Sequence, residues 1–286
     1  MITMLGVIGH PIQHSLSPLM HNRALQDQNL PYGYAPFDVE PALLSAAIQG
    51  MKALGFRGWN ITIPYKEQVV PWCDELDEDA RIMGAVNTIV HKNGKLIGYN
   101  TDGRGYVRSL PSAVYQVLDQ LDVLIIGAGG AAKAIAVALA RHSVHQLTIA
   151  NRTLQRGEAL AQQLAPWINA MSIPFQQVEV EAARYDLIIQ TTPCGLYPHV
   201  DQLPFPPTHL HSGQWVSDIV YRPLKTAFLQ AAEERGCMTI DGVGMLVHQA
   251  VLAYELWTGV KPPITTMEAV VRQSLQDEMN RNMRVE

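Results

Sequence analysis

Charge, cysteine and long apolar runs are all scarce in this sequence. Only 16% of its 286 residues are charged, 21 basic against 26 acidic, for a formal net charge of -5. Nucleic-acid-binding chains usually carry a basic excess, so a polyanion partner is not expected. The three cysteines, Cys73, Cys194 and Cys237, are an odd, scattered set without C-x-x-C. They exclude a disulfide framework and point to reduced thiols in the cytoplasm. The longest apolar run, around Ala134–Ala140, is about a third of the ~20 residues a membrane span needs. No basic region followed by a long apolar stretch opens the chain, so no secretory leader is expected. His10, His14 and His21 are near one another but match no zinc-ligand spacing, and no metal is expected. Repeats and low-complexity segments are absent.

What is present suits a soluble protein of two modest domains or one large one, with 48% hydrophobic residues. Met4–Ile8, Tyr32–Phe37 and Trp59–Ile63 read as strands, and Pro18–Gln28 and Ala42–Leu54 as helices, with Ser17 a plausible N-cap. Lys66–Trp72 and Glu75–Met83 read as helical. Val86–His91 and Lys95–Tyr99 read as a hairpin through Asn93-Gly94, two residues that tolerate positive φ. Beyond Asp102-Gly103 strands and helices alternate: Val123–Ile126, Gly130–Arg141, Gln146–Ala150 and Thr153–Leu164, then strands Leu187–Gln190 and Trp215–Val220. This argues for a doubly wound parallel sheet of Rossmann type. Val243–Thr258 and Met267–Met283 are helical, with no strand after them. They are expected to pack back on the N-terminal part. A discontinuous α/β domain, 1–103 and 242–286, would then hold an inserted domain, 104–241.

The strand Val123–Ile126 runs into Gly127-Ala128-Gly129-Gly130-Ala131-Ala132, a G-x-G-x-x-A run at a strand-to-helix junction. The first glycine allows the tight turn, the second lets backbone amides reach a pyrophosphate, and Ala132 permits close helix–strand packing. The run alone also fits a Gly-rich turn of any α/β protein; the flanking strand and helix favour a dinucleotide. About 20 residues on, NAD enzymes place an acid for the ribose 2′-hydroxyl. Here stand Asn151-Arg152-Thr153 and Arg156. A guanidinium grips a 2′-phosphate through paired charge-assisted bonds, so NADP is the expected cofactor.

Polar residues gather at other strand ends: Thr62 and Lys66, Asn87, and Asp102. Oxidising a secondary alcohol by hydride transfer requires a proton to leave its oxygen, and a lysine or carboxylate can take it. Taken singly, each has an ordinary role open to it. Lys66 suits a surface, Asp102 a helix cap, Asn87 a turn brace, and Ser15 and Ser17 the start of the first helix.

Taken together the segments resemble the shikimate dehydrogenase family from end to end. They are Gly9-His-Pro-Ile-Gln-His-Ser15-Leu-Ser17-Pro18, Asn60-Ile-Thr62-Ile-Pro-Tyr-Lys66, Gly84-Ala-Val-Asn87-Thr88 and Asn100-Thr101-Asp102-Gly103. The glycine loop, Asn151-Arg152-Thr153 and Asp241-Gly242-Val-Gly-Met245-Leu-Val-His-Gln249 complete the set. The resemblance implies NADPH-dependent, reversible reduction of 3-dehydroshikimate to shikimate, a step toward aromatic amino acids. It also implies a cleft between the two domains, where the substrate faces the nicotinamide. Ser15, Ser17 and Tyr221 would hold the substrate carboxylate, and Thr62, Lys66, Asn87, Asp102 and Gln249 the ring hydroxyls. Lys66 would be catalytic, with Asp102 beside it. Gly127, Ala128, Gly129, Gly130, Ala131, Asn151, Arg152, Thr153 and Arg156 would bind the dinucleotide. Ile219, Gly242 and Met245 would border the nicotinamide, and Glu78 matches a position linked to the cofactor. The likeness allows monomer or homodimer, while the charge balance and short apolar runs leave no nucleic acid or membrane partner expected. Gln190-Thr-Thr-Pro-Cys194-Gly195-Leu196 departs from the family, with Gln for Asn and Leu for Met. A dual quinate/shikimate dehydrogenase is the alternative enzyme. A non-catalytic NADP-binding sensor is the alternative of another class; loss of Lys66 or Asp102 would mark it, and both residues are present.

Overall fold

The computed structural model describes residues 2–282, so Met283 of the last expected helix lies outside the described residues. The chain divides into two compact units. One runs to Gly105 and resumes over Val247–Val271; the other is Tyr106–Leu246 together with the chain from Arg272 onward. The sequence assigns all of 242–286 to the first domain, whereas these units share the last helix, Ile264–Asn282, between them. Arg272 holds Asp241, and Arg222 holds Glu278 at 3.1 Å, within the second unit.

The first unit carries strands β1 (Thr3–Gly9), β2 (Tyr32–Asp38), β3 (Gly58–Ile61), β4 (Glu75–Leu76), β5 (Thr88–Lys92) and β6 (Lys95–Tyr99), in the order β2-β1-β3-β5-β6-β4. β1 is parallel to β2 and β3, while β5 is antiparallel to β3 and β6. Because β5 runs against its neighbours, its first residue stands beside the last residues of β3 and β6: Thr88 pairs with both Asn60 and Tyr99. The C-terminal ends of β1, β3 and β6 and the start of β5 thus share one edge of the sheet. Strand-end loops at such a reversal of order are where α/β sheets bind ligands. One core cluster holds Ile8, Ile48, Trp59, Ile61, Tyr65 and Ile89, all essentially without exposure. Another group is aromatic: His21 of helix Ser17–Asp27 stacks on Tyr34 at 4.4 Å and lies 5.5 Å from Trp257 of helix Val243–Thr258.

The second unit carries β7 (Asp122–Ile126), β8 (Gln146–Asn151), β9 (Ala170–Pro174), β10 (Leu187–Gln190), β11 (Trp215–Asp218) and β12 (Met238–Ile240). All pair in parallel, in the order β12-β11-β10-β7-β8-β9. This is the doubly wound Rossmann arrangement, with its switch point between β7 and β10. Val123–Ile126 and Leu187–Ile189 are buried on both faces, which explains their unbroken apolar runs.

Several local readings change. Lys66–Trp72 is a series of turns ending in a short 3-10 helix, Val70–Trp72. Pro71 has no N–H to continue an i→i−4 ladder, and the helical bonding is limited to one 3-10 turn. Glu75–Met83 splits into β4 and a helix, Glu78–Met83, capped by Asp77, whose side chain accepts from Ala80 N at 2.8 Å. Val86 and Asn87 precede β5 instead of lying within it. Ser17 lies inside its helix, with Leu16 at the cap position. β9, β12 and helix Ala227–Glu234 are elements the sequence reading does not assign. No helix of the described residues is long and apolar enough to cross a membrane.

Candidate active site

Pro64 follows β3, and Tyr65 N closes a turn on Thr62 O at 3.0 Å. The Tyr65 ring is fully buried in the core, which anchors this turn. Lys66 comes next, its carbonyl accepting from Val86 N at 2.7 Å. Its ammonium reaches Asp102 Oδ2 at 2.6 Å, although the two residues stand 36 positions apart. Asp102 opens helix Asp102–Ser109, and its N–H donates to Asn100 Oδ1 at 3.1 Å. The pair is part-buried, with Lys66 30% and Asp102 11% exposed along their side chains. One face of the pair is therefore open to a ligand, while the other is held by protein.

Asn87 supplies that hold. Its amide donates to Asp102 Oδ1 at 2.8 Å and to Thr101 Oγ1 at 2.9 Å, while Thr101 N donates to Asn87 Oδ1 at 2.9 Å. Thr62 lies between β3 and the Lys66 turn. Gly105 brings Gln249 to the same helix start: a Cβ at Gly105 would lie 2.6 Å from Gln249 N, so only glycine lets the two helices approach. Ser15 and Ser17 follow β1, both half-buried. Ser17 N donates to Ser15 Oγ at 3.3 Å. All seven of these expected substrate residues belong to the first unit, at one sheet edge and the helices beside it.

Tyr221 lies in the second unit, after β11. Burial raises its pKa, so its phenol stays a neutral donor. Gly127 ends β7 at φ +114°, where a side chain would be strained, and its Cβ would meet Thr191 Oγ1 at 2.5 Å. Gly129 caps helix Gly130–Arg141 without any side-chain bond, and open space surrounds both Gly129 and Gly130. Ala128 and Ala131 share this turn. The free N–H groups of this helix start suit a pyrophosphate. Asn151 ends β8 and donates to Thr153 O at 2.9 Å, bending the chain so that Arg152 and Arg156 stand exposed. No acid occupies that strand end. These residues fit a dinucleotide with a 2′-phosphate. Gly242 packs against the backbone of Ile219, and Met245 follows one turn later, half-buried. Glu78 is exposed at the start of its helix in the first unit, apart from the glycine loop in the chain's division.

Gln190, which departs from the family pattern, is fully buried. Its amide donates to Thr192 O at 3.0 Å, Cys194 O at 3.1 Å and Asp218 Oδ1 at 3.2 Å, and its oxygen accepts from Thr192 N. The longer side chain therefore braces the 191–195 loop itself. Sequence reasoning gave no role to Tyr34, Asn60, Thr88 or Thr101, all buried polar groups behind the Lys66–Asp102 pair. A signal was available for three of them: Asn60, Thr88 and Thr101 stand inside the quoted family segments.

Comparison with known proteins agrees with this geometry. Residues 7–89 match the shikimate dehydrogenase substrate binding domain, 109–196 shikimate / quinate 5-dehydrogenase, and 242–272 the shikimate 5′-dehydrogenase C-terminal domain. The NADP(+) shikimate dehydrogenase of Moorella thermoacetica is 46% identical over 95% of this chain and 93% of its own length. The chain belongs to the shikimate dehydrogenase family. Among solved structures, a shikimate dehydrogenase in complex with NADP+ superposes with a TM-score of 0.90 at 40% identity, covering 96% of each chain. The shikimate 5-dehydrogenase of Thermus thermophilus, in complex with NADP(H) and shikimate, gives 0.86 at 33%, covering 96% of this chain and all of that one.

Proposed function

We propose that this chain is an NADP-dependent shikimate dehydrogenase, reducing 3-dehydroshikimate reversibly to shikimate. The observation that carries the reading is the Lys66–Asp102 pair at 2.6 Å, open on one face and braced by Asn87 on the other. The second unit holds the cofactor, through the helix start at Gly129–Gly130 and the arginines 152 and 156. Bound there, the reduced cofactor supplies a hydride to the carbonyl carbon of the substrate. The Lys66 ammonium gives a proton to the carbonyl oxygen, which becomes the hydroxyl; in the reverse direction Nζ takes it back. Asp102 holds Nζ in place and keeps its charge balanced. Ser15 and Ser17 donate to the substrate carboxylate, and Thr62, Asn87 and Gln249 to ring hydroxyls. Neutral hydroxyl donors suit one carboxylate in a site that must also release product. The enzyme is proposed to work in the cytoplasm, as a monomer or homodimer.

A substrate panel with both reduced nicotinamides tests this. Purified chain should consume NADPH when 3-dehydroshikimate is added, and much more slowly with NADH. Silence across pH and substrate concentration defeats the reading. Preference for quinate over shikimate in kcat/KM would replace it with the quinate enzyme. The cofactor argument has its own check. Arg152→Ala should raise the Kd for NADPH by about 10- to 100-fold, the loss of a charge-assisted fork on the 2′-phosphate, and leave NADH nearly unaffected. Equal weakening of both cofactors would remove Arg152 from that role.

A further inference from the structure

Behind Asp102 lies a chain of buried polar side chains whose hydrogen-bond directions are all forced. A backbone N–H can only donate, so the Thr101 N–H turns the Asn87 oxygen toward itself and leaves the Asn87 amide nitrogen facing Asp102. Thr88 Oγ1 lies 3.0 Å from that same Asn87 oxygen and must donate to it. The lone pairs of Thr88 are then free to accept Asn60 Nδ2, also at 3.0 Å. Asn60 Nδ2 donates in addition to Asn87 O at 3.1 Å. With its nitrogen so committed, Asn60 turns its oxygen to Tyr34, whose hydroxyl donates at 2.7 Å. The Tyr34 hydroxyl thus spends its only proton on Asn60 and heads the chain. Thr88 is fully buried, Tyr34 4% and Asn60 7% exposed. Unpaired polar groups at such depth are costly, so none of these bonds is free to reverse without orphaning a neighbour. Tyr34 is held in plane by the parallel His21 ring, and burial keeps its phenol protonated.

Resting on the function proposed above, we infer that Tyr34, Asn60 and Thr88 are positioning residues for the reaction. They form a one-way relay that runs from Tyr34 through Asn60 and Thr88 to Asn87, Asp102 and Lys66 at the reacting end. None of the three needs to touch substrate. The relay holds the Asn87 amide so that Asp102 presents Lys66 in one orientation. Cutting it anywhere loosens the hold on Asn87, so two cuts should do little more harm than one.

Tyr34→Phe keeps the ring and its stack but removes the donor to Asn60. Thr88→Val keeps the shape and removes the link to Asn87, while Thr88→Ser keeps the link. Each of the first two should lower kcat for 3-dehydroshikimate about tenfold, the loss of one buried hydrogen bond's worth of positioning. NADPH Kd should stay within about twofold of parent, and Thr88→Ser near parent throughout. The double variant should be no slower than the slower single one. Parent-like kcat in Tyr34→Phe, or losses that multiply in the double variant, overturns the relay. Should Thr88→Val fail to fold, Tyr34→Phe and Thr88→Ser decide alone. The Asn87 side-chain amide resonances in 15N spectra give a readout without turnover. They should move in Tyr34→Phe, although Asn60 and Thr88 stand between the two residues, and unchanged resonances overturn the relay. Inactivity of the parent chain on this substrate instead defeats the proposed function, and the amide readout still judges the relay.

Discussion

Lys66→Ala lowers kcat for 3-dehydroshikimate reduction by about 10²–10⁴-fold, the usual share of a positioned proton-transfer group. That is about 3–5 kcal/mol of transition-state stabilisation. NADPH binding stays near parent, because the glycine loop and the arginines beyond β8 belong to the other unit. The fold tolerates the change: Asp102 keeps its bond from Asn87, and the ion pair is only part-buried, so its loss costs about 1 kcal/mol of stability. Stopped-flow measurement of kcat beside a fluorescence titration with NADPH separates the two effects. An unchanged kcat takes Lys66 out of the proton path. A collapse of NADPH affinity instead points to a binding role.

Replacing His21 removes a loss of stability that acid imposes on the fold. The ring is completely buried between Tyr34, Tyr254 and Trp257, and neither of its nitrogens has a hydrogen-bond partner among the described residues. Burial without a partner holds its pKa down at about 3, against 6.5 for an ordinary histidine. The unfolded chain therefore binds a proton below pH 6.5 that the folded one refuses. Stability from this site is full above pH 6.5 and drains as pH falls toward about 3, by ~1.4 kcal/mol per pH unit. Asp218 opposes it. Burial lifts its pKa from 3.8 to about 6, so the fold takes up that proton first and gains stability as pH falls from about 6 to 3.8. The two slopes nearly cancel there, and the parent alone shows little of either. The difference between His21→Phe and parent isolates the histidine. Urea unfolding should show the variant gaining about 2–3 kcal/mol on parent between pH 7 and pH 4.5. A difference that stays constant with pH sinks the account.

The opposing sites serve different units. His21 stiffens the aromatic layer behind Tyr34 and so the relay toward Asp102. Asp218 accepts from Thr226 at 2.7 Å, from Val220 N at 2.9 Å and from Gln190, knitting the ends of β10 and β11 on the cofactor unit. Neither residue is placed to touch substrate, yet each sets how firmly a strand-end loop is held. The bidentate Arg272–Asp241 pair does the same for the turn at Gly242, since Asp241 also caps Val243 N at 3.0 Å.

The Rossmann unit was legible in the chain itself. Its strands are unbroken apolar runs because parallel strands are buried on both faces, and its glycine turn and the arginines beyond β8 are local in sequence. The hairpin at Asn93-Gly94 was legible for the same reason: φ of +53° and +76° is a demand two adjacent residues meet alone. The family motifs named Lys66, Asp102 and Asn87, but as separate short segments. Only the tertiary structure decided that these three meet. An antiparallel β5 brings residue 88 beside residues 60 and 99, and no periodicity in a single chain reports which strands will pair. It also decided that the segment after Lys66 is not an α-helix, that Gln190 braces its own loop, and that Tyr34 is tied to Asp102 through Asn60, Thr88 and Asn87. Local composition sets what each residue can donate or accept; strand order and burial choose its partner.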